Sequence, residues 1–326
     1  MENTMRALVQ RSHRGPGDLT LTDLPVPAPG PGEYLIRVGA AGVNFADVMQ
    51  TRGTYGDGPQ PPYPAGFEAA GEIVAAGPET SLPVGTHVIG AGAGAFAQYM
   101  VMPAVGAVPV PAGWTDAEAL GLVLNWATAL AALKPLGEVK PGEVVLVHAA
   151  AGGVGQAAVR LARHYGAHVI ATASPAKHDT VRALGADVVL DSARPDLAAE
   201  ILRLTGGVDV VLESVGRAMF TTSLTVAKPY TGRVVVFGAA SGDAHLSTHD
   251  LVFTYRAQIK GLHIGALATA VPAVFRSLLT ELEALVADGV YPPGTPTVHA
   301  LADGPAVLAE LEAGRTRGKH ALDPWR

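Results

Sequence analysis

The sequence predicts an α/β protein in two parts, a β-rich first domain and a doubly wound parallel sheet. Three observations carry this expectation. Up to residue 122, short apolar or alternating stretches are bounded by proline and glycine turns, as in an all-β-leaning domain. From residue 144 onward, strand-like and helix-like stretches alternate, which calls for a parallel sheet with helices on its faces. Where that alternation begins, Val144, Val145, Leu146 and Val147 form an apolar run suited to a central strand covered on both sides.

Strands are expected at 5–10, 34–40, 69–76, 87–90 and 97–102. A long loop over 44–66 is punctuated by Gly53, Gly56, Gly58 and several prolines. Thr115 followed by Glu118 has capping-box spacing and opens a helix over 115–121; a second helix runs over 124–136, where Pro135 helps to end it. The alternating core follows. Its strands are expected at 144–149, 168–173, 188–190, 208–213, 233–238 and 258–264, and its helices at 154–165, 176–184, 196–205 and 219–227. A long amphipathic helix over 270–287 leads back to the first domain, which ends with a helix at 305–313 and a strand at 320–322. The expected division is thus 1–122 and 267–326 for the first domain and 123–266 for the second.

Composition narrows the function classes. The 326 residues are 48% hydrophobic and 16% charged, enough for a sizeable core. A net charge of −6 without a basic block argues against a nucleic-acid partner held through its phosphates. No stretch reaches the roughly 18 uninterrupted apolar residues of a membrane span, and the N-terminus lacks a signal peptide's apolar core, so a cytoplasmic protein without a membrane partner is expected. There are no cysteines, hence no disulfide and no thiolate-bound zinc, and none of the 11 histidines falls in a compact metal motif.

Gly152, Gly153, Val154 and Gly155 link the apolar run to the helix. Read from Gly153 the spacing is Gly-x-Gly-x-x-Ala, ending on Ala158, the fingerprint of a dinucleotide site. Unhindered backbone can approach a pyrophosphate there, and the helix N-terminus offers unpaired N–H groups. NAD sites place an acid about 20 residues beyond the turn to bind the ribose 2′-hydroxyl. Here that region is Thr172 to His178, without an acid before Asp179. Ser174 and Lys177 suit a 2′-phosphate, so NADPH is favoured over NADH, with a helix N-cap and a solvated lysine as the plainer alternative.

Five stretches in register resemble one family: Val43-Asn44-Phe45-Ala46-Asp47, Gly66-Phe67-Glu68-Ala69-Ala70-Gly71, Ala149 to Gly155, Val235 to Gly242, and Gly318-Lys319. The chain is similar along its length to the zinc-independent, zeta-crystallin-like quinone oxidoreductases of the medium-chain dehydrogenase/reductase superfamily. The resemblance implies a GroES-like catalytic domain, a Rossmann-type domain, a cleft between them, NADPH as hydride donor and a homodimer. An apolar edge strand within 253–264 is the stretch expected to pair across its two-fold axis. In the superfamily's zinc enzymes a cysteine stands near the position of Asn44, and a histidine stands where this chain has Phe67. Without those ligands no Lewis acid activates an alcohol, whereas a quinone or conjugated alkene accepts hydride directly.

The resemblance also implies site residues. Asn44, Asp47 and Tyr55 match positions lining the nicotinamide and acceptor pocket. Asn44 offers hydrogen bonds and Tyr55 steadies a carbonyl oxygen or donates a proton through water, against the plainer readings of an Asx-turn and a half-buried loop aromatic. Asn125 and Thr128 match the helix start holding the carboxamide. Ser192 stands where relatives often have tyrosine, with Arg194 as a compensating cation. Phe237, Gly238 and Ser241 follow a strand's carboxyl end, where open α/β sheets bind ligands. Arg317 and Lys319 match a segment reaching the cofactor phosphates. The expected partner is a small quinone or activated alkene. Two alternatives stand beside it: an enoyl or enone reductase, and a non-catalytic NADPH-binding sensor or structural protein.

Overall fold

The computed structural model describes residues 4–56 and 58–326. The chain divides into two compact units, Met1–Leu124 with Pro292–Arg326, and Asn125–Tyr291. The return to the first unit therefore comes at Pro292 rather than at 267. The long helix expected to lead back belongs instead to the second unit, into whose core it buries Phe275, Leu278, Leu282 and Leu285.

In the first unit β1 (Thr4–Gln10) pairs antiparallel with β2 (Leu19–Pro25) and briefly with β4 (Tyr63–Pro64). A larger sheet is centred on β3 (Glu33–Val43), which pairs with β5 (Glu68–Ala76), with β7 (Tyr99–Pro103) and with the C-terminal strand His320–Asp323, while β5 pairs on with β6 (His87–Ala91) and β6 with β8 (Val108–Pro109). Ile36, Val38, Ile73, Ile89, Phe96 and Met100 fill the core beneath it, all at most 1% exposed. Several elements were not legible as such, among them the helix Ile264–Ala270, the strand Thr297–Ala300 and two early in the chain. Residues 19–25 are a strand, although Leu21 is exposed along with Thr20 and Asp23. The expected loop after Asn44 opens with helix α1 (Phe45–Thr51); Asp57, further along that loop, lies outside the described residues. The capping box at Thr115 is present: its amide donates to Glu118 Oε2 at 2.7 Å, and the Glu118 amide donates to Thr115 Oγ1 at 3.3 Å.

The second unit is a six-stranded parallel sheet. Its strands are Val144–Val147 (β9), His168–Ala173 (β10), Val188–Asp191 (β11), Val210–Glu213 (β12), Arg233–Val236 (β13) and Gln258–Gly261 (β14). Their order, β11-β10-β9-β12-β13-β14, is that of a Rossmann-type sheet, and it reverses direction between β9 and β12. Val145 to Val147 and Val210 to Leu212 are fully buried, as strands covered on both faces must be. β14 ends at Gly261, earlier than expected, and forms an edge. The helical run Asp116–Leu136 is apolar enough for a membrane span by composition, yet most of it is buried within the protein, as in a core helix.

Helix Gly153–His164 starts directly after the glycine turn and buries Gly155, Ala157, Ala158, Val159, Leu161 and Ala162. Its fit to the sheet depends on Gly155. A Cβ there would stand 2.4 Å from Ala149 O and 2.6 Å from Ala150 Cα, both backbone atoms that cannot step aside. Gly155 thus lies directly against the backbone of the turn, and Ala158 one turn further on is fully buried. At Gly152 the nearest atom to a Cβ is Ala149 O at 3.3 Å. Gly155→Ala should therefore destabilise the protein by roughly 1–3 kcal/mol through overpacking, and Gly152→Ala by less than about 0.5 kcal/mol, as measured by chemical denaturation.

Candidate active site

Two groups of polar residues, one in each unit, gather most of the positions singled out in the sequence. The first surrounds Glu68 at the start of β5. Its carboxylate is fully buried and accepts from Asn44 Nδ2 at 3.0 Å, from the Gly121 amide at 2.7 Å and from Lys319 Nζ at 2.5 Å. Lys319 Nζ also donates to Asn44 Oδ1 at 2.7 Å. Both ends of the Asn44 amide are thus engaged, and Lys319 holds a carboxylate and an amide of its own unit. The backbone makes room: Gly42 lies opposite Glu68 in the β3–β5 pair, and a Cβ there would stand 2.2 Å from Glu68 Oε2.

Asp47 lies one turn into α1. Its Oδ2 accepts from the backbone amide of Asn44 at 2.7 Å, reaching back to the helix start as the acidic half of a capping box does. Its Oδ1 is buried without a hydrogen-bond partner, as is the hydroxyl of Tyr63. Burial pushes the Asp47 carboxyl up to about 8, against the Asn44 amide bond and the Lys319 charge that favour ionisation. Tyr55 stacks on Phe67, ring centroids 6.0 Å apart, and burial followed by the Asp47 charge raises its phenol. Both groups therefore hold their protons to higher pH than usual. Arg317 is exposed on the segment before Lys319.

The second group lies at the carboxyl ends of the parallel strands. Gly152 caps the helix that begins at Gly153, and Val154 and Gly155 complete its first turn. Asn125 is buried against Gly153, where a Cβ would meet its Oδ1 at 2.9 Å, and Thr128 is buried in the helix Ala127–Ala131. Beyond β10, Ser174 is exposed and precedes the turn Pro175–Lys177, but its side chain makes no capping bond, so the N-cap reading does not account for its hydroxyl. The Ser192 amide donates to Ala173 O at 3.1 Å. Arg194 gives its fork to Asp196, at 2.6 and 2.9 Å, which commits the cation expected to compensate beside Ser192. The Phe237 amide donates to Glu213 O, Gly238 packs on Ser214, and Ser241 donates its amide and its hydroxyl to Val215 O, each at 2.7 Å.

Three buried groups were not legible as site residues: Glu68, Glu213 and His148. Glu68 was visible only as part of a motif, because its partners are remote in sequence. His148, directly after β9, bonds Thr172 Oγ1 through Nδ1 at 2.9 Å, and burial pulls its imidazole down to about 4. Among the described residues, no three His, Asp or Glu side chains are arranged to hold a metal ion.

The protonation of Asp47 makes the folded chain's stability depend on pH. An unfolded chain ionises this carboxyl near its ordinary value of 3.8, whereas the folded chain keeps the proton to about 8. Between these values the folded state binds more protons, so stability falls as pH rises through that window. Asp47→Asn removes this dependence. Its melting temperature should exceed the parent's at pH 8 by on the order of 5 °C, with the gap narrowing as pH falls and closing at about pH 4.

Comparisons with known proteins agree with this layout. Residues 30–112 match the alcohol dehydrogenase GroES-like domain, and residues 153–283 match the zinc-binding dehydrogenase family. A mycobacterial protein, Rv1454c, solved with NADPH, is 33% identical, with 98% of this chain and 100% of that chain aligned and a TM-score of 0.92. Pseudomonas syringae quinone oxidoreductase is 32% identical, with the same coverage and a TM-score of 0.91. The CurK enoyl reductase is 29% identical, with 99% of each chain aligned and a TM-score of 0.88. A mycocerosic acid synthase-like polyketide synthase of Mycobacterium tuberculosis is 37% identical over 321 residues, which span 95% of this chain and only 15% of that synthase. The chain belongs to the quinone oxidoreductase-like family of the medium-chain dehydrogenase/reductase superfamily.

Proposed function

We propose that the protein is an NADPH-dependent reductase that works without a metal ion and delivers hydride to a quinone. The observation that carries this reading is the Asn44–Glu68–Lys319 set. The polar residues at the start of α1 and β5 are closed around an ammonium, and the chain has no cysteine to offer a metal beside them. An acceptor that is already electron-poor needs no Lewis acid, so such a site is matched to it. Similarity to a quinone oxidoreductase and to a protein solved with NADPH supports the same reading.

The residues present fit the cofactor. The glycine turn brings Gly152 to a helix N-terminus, where backbone N–H groups suit a pyrophosphate, and Ser174 with Lys177 suits a 2′-phosphate. When bound, NADPH supplies the hydride. The protein's own part is orientation. Lys319 and Glu68 fix the Asn44 amide, and Tyr55, still protonated at neutral pH, donates a hydrogen bond to an acceptor oxygen. Proximity and alignment of this kind contribute at most roughly 7–11 kcal/mol. Tyr55→Phe should therefore lower turnover about 3- to 30-fold, whereas a loss beyond about 10³-fold would mark an obligatory general acid.

A second reading, reduction of an enoyl or enone C=C bond, is favoured by the similarity to the CurK enoyl reductase and to the polyketide synthases. NADPH oxidation followed with a panel of 1,4-quinones, enones and enoyl thioesters separates the two. Rates highest on the quinones support the first, and a preference for enoyl thioesters supports the second. NADPH binding without oxidation by any acceptor would indicate a sensor or structural role. Chelator-sensitive oxidation of simple alcohols would overturn the metal-free reading. Lys177→Ala should lower kcat/KM for NADPH about 10- to 100-fold while that for NADH stays within about 3-fold; an unchanged ratio would remove Lys177 from the 2′-phosphate site.

A further inference from the structure

Glu213 ends β12, after three residues that are wholly buried, and is itself fully buried. A carboxylate in such a place is tolerated only if its lone pairs are met. Here they are met by backbone and hydroxyl donors. Oε1 accepts from the amides of Val215 at 2.5 Å and Gly216 at 2.9 Å, and Oε2 accepts from Ser223 Oγ at 2.6 Å. The side chain therefore folds the turn 214–216 back over the strand end and ties it to the helix Arg217–Val226. That turn in turn holds the segment after β13. Ser214 O accepts from the Ala240 amide at 3.0 Å, and Val215 O accepts from Ser241 as described. The fit leaves no spare room: a Cβ on Gly216 would lie 2.2 Å from Gly242 O.

These two segments stand at the carboxyl ends of β12 and β13. β12 pairs with β9, whose end carries the glycine turn, and strand order reverses between the two, which is where open α/β sheets bind dinucleotides. With the pyrophosphate on that turn and the 2′-phosphate beyond β10, the segments 214–216 and 238–242 lie on the side left to the nicotinamide half. We infer that Glu213 is a positioning residue for the nicotinamide half of the cofactor, acting through the amides of Val215 and Gly216 and so through Ser241. This rests on the NADPH reading above.

The test compares NADPH with 2′,5′-ADP, which carries the adenosine and the 2′-phosphate but no nicotinamide, by calorimetry on the wild-type chain and on Glu213→Ala, Glu213→Asp and Glu213→Gln. In Glu213→Ala, NADPH affinity should fall by more than about 10-fold while 2′,5′-ADP affinity stays within about 2-fold of wild type. Glu213→Asp is the milder variant should the alanine form fail to fold. It keeps the charge but cannot span both amides, and should lose about 5-fold or more for NADPH alone. Glu213→Gln keeps an acceptor for both amides and an NH₂ donor towards Ser223, and should recover to within about 3-fold of wild type. Equal losses for both ligands, wild-type NADPH affinity in Glu213→Asp, or a glutamine variant as weak as the aspartate one would each overturn the assignment. Wild-type protein that binds neither ligand would overturn the NADPH reading, and this role with it, before any substitution is made.

Discussion

The first unit's candidate site depends on one buried ion pair. Glu68 is inaccessible to solvent and Lys319 is 13% exposed at its side chain, so the pair is largely removed from water. Burying such a pair contributes little against an apolar replacement, but removing one partner strands the other and costs about 3–5 kcal/mol. The geometry around the pair is therefore coupled. β3 has glycine at position 42 because the carboxylate needs the space, the chain enters at Gly121 because its amide is the third donor, and Asn44 is turned so that its oxygen meets the ammonium. Three segments far apart in sequence are pinned by one side chain. That is more useful for orienting a site than for stabilising a fold.

The second unit solves the same problem without a cation. A parallel sheet with helices on its faces can hold almost no polar side chain along its strands, so polar groups collect where the strands end. His148 and Glu213 are those groups for β9 and β12, the two strands that flank the reversal of strand order. His148 stays neutral because burial outweighs the pull of the Glu213 charge, and its bond to Thr172 joins the end of β9 to β10. Glu213 spends its lone pairs on the turn that follows it. In both units a buried polar residue at a strand end decides where the next loop runs.

How much of this was legible in the sequence follows from the range of the interactions. The parallel sheet was legible because apolar runs and helical periodicity are local, and so were the glycine turn and the Thr115 capping box. Strand β2 was missed because its leucines do not share one face, Leu19 and Leu21 falling on one and Leu24 on the other, and α1 because a short helix between glycine-rich turns has too few periodic positions. The position of the long helix in the second unit depends on which core receives Phe275 and Leu282, and no local pattern records that. Among the site residues, Asn44 and Lys319 were singled out, but the carboxylate joining them was not. Spacings of 24 and 251 residues carry no periodic signal. Glu213 reads in sequence as one more acid after a strand. Only its burial, together with the three donors it meets, distinguishes it.

The protonation states in the first unit bear on what kind of acceptor it suits. Lys319 and Glu68 compensate each other, Asp47 keeps its proton through neutral pH, and Tyr55 remains a phenol. Below about pH 8 the set therefore carries donors and acceptors but almost no net charge. An anionic substrate would gain little from it, and a cationic one would gain little either. On the proposed reading, a neutral carbonyl or quinone oxygen would instead meet the Tyr55 phenol, a donor that keeps its proton as negative charge develops on that oxygen. The pairing that fixes Asn44 thus also sets the charge balance: the same ammonium that orients the amide cancels the carboxylate that would otherwise repel an oxygen gaining electrons.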